Sequence, residues 1–180
     1  PPKRAWRLIT APIKAGGGTH SISQAWQERT LPLLGLDYSN PSASTSSISA
    51  DTITAGYGTQ ITGGSTANGF DQSPTNNSGI KYFNGSNWVT PASVNNTSVS
   101  SQEGWMLFVR GDRKYFGEIT NAFKAPTPTI LRPRGQLYIG RKSISSSGLT
   151  VVGNPYASSI DYTLVDKEGS GLAGTPTYYM

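Results

Sequence analysis

Two short apolar runs constrain this chain more than anything else in it: Gly104-Trp105-Met106-Leu107-Phe108-Val109-Arg110-Gly111-Asp112-Arg113 and Gly148-Leu149-Thr150-Val151-Val152-Gly153-Asn154-Pro155-Tyr156. Each is too short for an ordinary helix and stops at turn-forming residues, the pattern of a buried β-strand with a sharp exit. The composition agrees. Only 14% of the residues are charged, Gly alone numbers 21, and Ser, Thr and Asn are abundant. Surface helices draw on Glu, Lys, Gln, Leu and Ala, whereas small polar residues with Val, Tyr and Trp suit strands and their corners. The class expected is therefore all-β. Its architecture is a β-sandwich or sandwich-like set of antiparallel sheets, with long Gly/Ser/Asn loops and one short helix near residues 21–28.

At 180 residues the chain suffices for a single domain over 1–180. Its 5 Phe, 4 Trp and 9 Tyr supply large buried areas, which speaks against wholesale disorder. Cysteine is absent, so neither disulfides nor thiol chemistry is available. No apolar run is long enough for a membrane helix, and the chain is expected not to span a membrane. The net charge of +5 comes mainly from Lys3, Arg4, Arg7 and Lys14 at one end and from Arg110 through Lys142 later, with no Lys or Arg between Leu31 and Ile80. A basic region of this kind attracts acidic polysaccharide, anionic lipopolysaccharide or nucleic acid, although scattered solubilising charge looks the same. No nucleic-acid partner is expected.

Along the chain, Ala5–Ile13 reads as a first strand with Trp6, Leu8 and Thr10 on one face. Ser21 is placed to cap a short helix in which Ile22, Ala25 and Trp26 share a side. The stretch from Tyr38 to Asp51 reads as a surface loop. Alternation returns at Thr52–Thr54 and Gly58–Thr62. Ile80–Val89 is the clearest hairpin, two aromatic strands around Asn84-Gly85. A second hairpin is expected from Trp105–Arg110 and Lys114–Ile119, and a third from Thr127–Arg132 and Gly135–Arg141. Leu149–Val152 and Ile160–Val165 are expected as later strands. Thr175–Met180 is again strand-like and stops without a polar tail, so the chain reads as a segment of a longer secreted protein, truncated at its C-terminus.

Sites of chemistry are scarce. A lone His20 without Cys excludes the usual zinc and iron sites. The acids are too dispersed for a calcium loop, Asp71 in the Gly69–Asn77 stretch being the nearest approach. No metal, cofactor or catalytic residue is expected. A nucleophile triad would need an acid beside His20, and Glu103 with Glu118 reads as a surface pair across the second hairpin. Arg110-Gly111-Asp112 is good turn chemistry, and Asn-x-Ser/Thr triplets such as Asn95-Asn96-Thr97 are expected by chance in so polar a chain. Aromatics are the serious binding candidates, because sugars present C–H faces that stack on aromatic rings. Tyr57, Tyr82 and Trp88 are assigned tentatively to carbohydrate binding, since they sit near Gly/Asn turns. Trp6 and Trp105, inside apolar runs, are expected in the core.

These motifs together resemble a recurring β-domain of very large adhesin-like extracellular proteins of Bacteroidota, exported by the type IX secretion system with a separate C-terminal sorting domain. The likeness runs through Trp6–Pro12, Ser23–Glu28, Gly56–Gly63, Asn68–Pro74, Tyr82–Trp88, Gly104–Arg113, Leu131-Arg132 and Gly135–Gly140, and is most diagnostic at Leu149–Asp161 with its Gly-Asn-Pro-Tyr element. The resemblance implies an extracellular or cell-surface location, in the company of adhesive repeats and polysaccharide-degrading modules, and carries no catalytic residues. Apart from any family, Gly153, Asn154, Pro155 and Tyr156 make sense as a structural turn. Gly153 allows close approach, Pro155 extends Asn154, the Asn154 side chain bonds nearby backbone, and Tyr156 anchors the corner while its hydroxyl finds a carbonyl. The expected function is a non-catalytic structural or adhesive domain that assembles with neighbouring domains or chains through edge strands; a polysaccharide-binding module is the alternative.

Overall fold

The computed structural model describes residues 4–14, 20–27, 56–71, 73, 75–111, 126–133, 135–145 and 148–165. Among them, Trp105-Met106-Leu107-Phe108-Val109 is the spine. Four strands, β1 (Ala5–Ile9), β2 (Ile80–Phe83), β3 (Trp88–Val89) and β4 (Trp105–Val109), form one antiparallel sheet in the order β1-β4-β2-β3. With a single five-residue helix, α1 (Ile22–Trp26), and two three-residue 3₁₀ turns, the architecture is consistent with the all-β class.

Register settles which side chains meet. Ala5 pairs with Val109, Ile9 with Trp105, Ile80 with Leu107 and Tyr82 with Val89. Because side chains alternate across a strand, Ile9, Trp105, Leu107, Ile80 and Tyr82 line one face. That face meets α1, whose Ile22, Ala25 and Trp26 are buried, together with Ile61, Phe70, Val94 and Val99. The helix starts where Ser21 predicts it: the Ser21 hydroxyl accepts from the Gln24 amide, and the Gln24 side chain accepts from the Ser21 amide at 2.9 Å. The Thr59–Thr62 thread is buried along its length and passes between these parts. Thr59 N donates to Trp26 O at 2.7 Å and Gly79 N to Thr62 O at 2.9 Å.

The Ile80–Val89 hairpin forms, but Asn84-Gly85 is not a two-residue turn. Phe83 pairs with Trp88, leaving Asn84 through Asn87 as the loop. Asn84 stays outside the left-handed region and uses its side chain instead, Oδ1 accepting from the Ser86 and Asn87 amides at 3.0 and 2.8 Å. Only Gly85, at φ 98°, needs the positive torsion.

Several strand expectations are corrected. Thr127–Arg132 and Gly135–Arg141 do not pair with each other. Ile130 instead bridges Tyr57 and Leu137 bridges Ile13, so both segments satisfy their backbone on distant parts of the chain. Leu149–Val152 is not a strand, and Ile160–Val165 contains the 3₁₀ turn Tyr162–Leu164. The expected elements at Thr52–Thr54, Lys114–Ile119 and Thr175–Met180, and the Tyr38–Asp51 loop, lie outside the described residues.

Candidate functional site: the outer face of the sheet

The same alternation that buries Trp105 and Leu107 turns Met106 and Phe108 the other way. Their partners follow: Trp6 opposite Phe108, Leu8 opposite Met106, Lys81 opposite Met106, and Phe83 opposite Trp88. The outer face of the sheet is therefore Trp6, Leu8, Met106, Phe108, Phe83 and Trp88, interrupted by one charge, Lys81. None of these residues is buried; Trp6 retains 38% of its surface and Leu8 58%. Trp6 is thus corrected from core to surface. It lies in the outermost of the described strands, and its parity with Phe108 places it opposite the packed side.

The rings meet in inclined pairs. Trp6 and Phe108 lie 5.4 Å apart at 61°, and Phe83 and Trp88 5.5 Å apart at 58°. Lys81 Nζ stands 5.6 Å over the Trp6 ring, and the Arg110 guanidinium 5.0 Å over Phe108.

One end of this face is covered. The Leu149–Gly153 segment lies over Gly104, where an added Cβ would meet Val151 Cγ1 at 2.8 Å. Gly153 comes closer still: a Cβ there would fall onto the Glu103 carbonyl oxygen and within 2.7 Å of Thr10 Cβ. The second apolar run of the sequence thus laps across the end of the sheet without adding a strand. Between it and Phe83 opens a pocket of about 130 Å³ that also touches Gln102, Glu103 and Thr150.

Just beyond lies the Gly153-Asn154-Pro155-Tyr156 corner. Asn154 Oδ1 accepts from the Tyr156 amide at 3.0 Å, and its Nδ2 donates to Ser158 O at 2.6 Å. The Tyr156 hydroxyl donates to Gly140 O at 2.8 Å, with its ring 5.8 Å from Tyr138. Lys142 joins this cluster, 2.6 Å from Glu103 and 5.5 Å above the Tyr138 ring. Farther along, bonds from the Thr163 hydroxyl (2.6 Å) and amide (2.9 Å) hold the Asp161 carboxyl below its ordinary range. That turn's contribution is present above the unfolded pKa and is lost as pH falls through the lowered folded value.

Gly153→Ala should detach this segment. The clash is with backbone, so it cannot be relieved by a rotamer change, but the segment can lift locally. The expected outcome is faster amide exchange across 149–156 with a global loss of only about 1–2 kcal/mol. Unchanged exchange protection would contradict the packing.

The three residues assigned to sugar binding are not brought together. Tyr82 lies on the inner face, its ring 5.8 Å from buried Trp105. Trp88 is on the outer face with Phe83. Tyr57 stands apart at the Ile130 bridge, with the Arg132 guanidinium 3.9 Å over its ring. What residue reading missed was that the Trp6 and Leu8 face of the first strand is the outer one, and that Met106-x-Phe108 alternates inside an apolar run to join it.

The described acids hold structural bonds. Buried Asp71 accepts from Gln27 Nε2 at 2.8 Å and from Ile61 N at 3.0 Å, turning inward from the loop that was weighed for calcium. No group of three metal-ligating side chains occurs among the described residues, and no described helix is long and apolar enough to cross a membrane. No known protein family, curated protein or solved structure matches the chain.

Proposed function

We propose that the chain is a non-catalytic, extracellular structural or adhesive domain of a large secreted bacterial surface protein, and that it makes contact through the outer face of its sheet. The observation that carries this reading is that face itself. Strands β1 and β4 and the β2–β3 hairpin present Trp6, Phe108, Met106, Phe83 and Trp88 to the outside, although alternation normally puts polar residues on the solvated side of an antiparallel sheet. Accessible apolar patches rich in aromatic residues and Met are typical of contact surfaces. Strand β1, at one edge of the sheet, adds a row of backbone groups that another strand could extend. The layer of α1, the Thr59–Thr62 thread and Val94–Val99 stands where a sandwich places its second sheet, which supports a sandwich-like architecture. The resemblance to secreted adhesin-like domains supports the extracellular location.

The test is attachment and self-association of the native domain against a Trp6→Ser/Phe108→Ser double variant. Sedimentation velocity and adhesion to immobilised bacterial cell-surface glycans read the two arms. The variant should lose most of whichever contact the native domain makes. Both substitutions are on an accessible face, so a native-like circular-dichroism spectrum is expected. An unchanged result in both arms defeats the reading.

A further inference from the structure

We infer that Asn84-Gly85, in the loop of the β2–β3 hairpin, is a self-modification site, where the Asn84 amide is converted to aspartate and isoaspartate through a succinimide. The site stands apart from the adhesive reading above and rests on the loop's own geometry. Asn84 Oδ1 accepts from the Ser86 and Asn87 amides at 3.0 and 2.8 Å. Both donors sit on the oxygen that gains negative charge when Cγ is attacked, the arrangement that stabilises an oxyanion. Asn84 N donates to Asn87 O at 3.0 Å, so the side chain is held against its own turn and loses little freedom on ring closure. The nucleophile is the next amide, that of Gly85. It donates to no described group, the residue is exposed, and a Cβ built there would meet nothing within 4 Å.

The reaction consumes only water. The Gly85 amide gives its proton to hydroxide, its nitrogen bonds to Asn84 Cγ, and the Cγ–Nδ2 bond breaks to release ammonia. Water then opens the imide ring, at Cγ to give aspartate or at the main-chain carbonyl to give isoaspartate. Aspartate keeps an acceptor for Ser86 and Asn87. Isoaspartate routes the main chain through the side chain and lengthens the span between Phe83 and Trp88, whose rings meet at 5.5 Å, so that pair should loosen as the protein ages. The sequence holds a second such dipeptide, Asn68-Gly69, and the fold disarms it. Gly69 N donates to Thr66 O at 3.0 Å, the residue is buried, and a Cβ there would run into Asn95 and Val94. Reaction at Asn68 therefore waits on local opening of its turn.

Incubating the native chain in mildly alkaline buffer, with a parallel sample in guanidinium chloride, tests this. Peptide mapping by mass spectrometry follows both asparagines, and labelling by an isoaspartyl methyltransferase reports the isoaspartate. The denatured sample supplies the rates that the two dipeptides have without the fold. In the native chain Asn84 should convert at least as fast as when denatured, and the ratio of the Asn84 rate to the Asn68 rate should rise about tenfold or more. The isoaspartate form, separated by ion exchange, should melt below the native chain, whereas Asn84→Asp should melt with it. The inference is overturned if folding slows conversion at Asn84, if the ratio of the two rates does not rise on folding, or if no isoaspartate forms at position 84. None of these rates depends on adhesion or self-association, so failure here leaves the adhesive reading standing, and failure of that reading leaves this one.

Discussion

Trp105→Ala is expected to cost about 3–5 kcal/mol, a large share of the roughly 5–15 kcal/mol by which domains are ordinarily stable. The residue is fully buried at the meeting point of both layers, with Trp26 6.2 Å away at 89° and Tyr82 5.8 Å away at 73°. Edge-to-face pairs of this kind add about 0.5–1.5 kcal/mol beyond the area they bury. Its indole N–H also donates to Val99 O at 2.9 Å, so truncation strands a buried carbonyl as well as opening a cavity. Trp6→Ala is the internal control: the same chemical change on the outer face should cost less than about 1.5 kcal/mol. Urea titrations followed by far-ultraviolet circular dichroism measure both. Equal costs at the two positions would mean the faces of the sheet have been assigned the wrong way round.

Asp71→Ala carries the second large effect, about 3 kcal/mol. Its carboxylate and backbone together clasp one residue: Oδ2 accepts from Ile61 N at 3.0 Å while Asp71 N donates to Ile61 O at 2.7 Å. The same Oδ2 takes Gln27 Nε2 at 2.8 Å, just past the end of α1. Removing it leaves two interior donors without that acceptor and loosens the thread from the helix. Asp71→Asn can keep an amide oxygen where Oδ2 accepts from both donors, but it loses the charge and puts an N–H₂ in place of Oδ1, so an intermediate loss of about 1–2 kcal/mol is expected. Thermal melts of the two variants order them; an Asp71→Ala chain as stable as native would show the clasp to be incidental.

How much could be read from residues alone follows from how local the deciding interaction is. The helix was legible because Ser21 and Gln24 cap each other three positions apart, and the hairpin because Asn84 and Gly85 act within their own loop. Trp105 was legible as core because its run is continuous. The same continuity hid the outer face, since a run apolar at every position reads as buried on both sides and conceals which parity packs. Trp6 was misplaced for a different reason: alternation put it on one face with Leu8, but residues alone did not say that this face, and not that of Ala5, Arg7 and Ile9, turns away from the core. Ile130 and Leu137 found partners at Tyr57 and Ile13, choices that no local turn signal encodes. Leu149–Val152 has the composition of a strand, but it joins no ladder: the Val151 side chain lies against Gly104 and the following Gly153 against Glu103. The binding candidates were chosen by proximity to turns, and register then separated Tyr82 from Trp88, because adjacent positions on a strand face opposite ways.

The pairing of Ala5 with Val109 also sets a tempo. β1 is synthesised well before β4, its only described strand partner, with α1, β2 and β3 between them. Closing so long a loop is slow compared with forming α1 or the Asn84 hairpin, and topologies dominated by distant pairings fold on the order of milliseconds to seconds. During that wait Trp6 and Leu8 remain unzipped from Phe108 and Met106. A newly emerging chain therefore passes through a sticky interval, in which a holding factor or rapid dilution would matter more to yield than any gain in final stability.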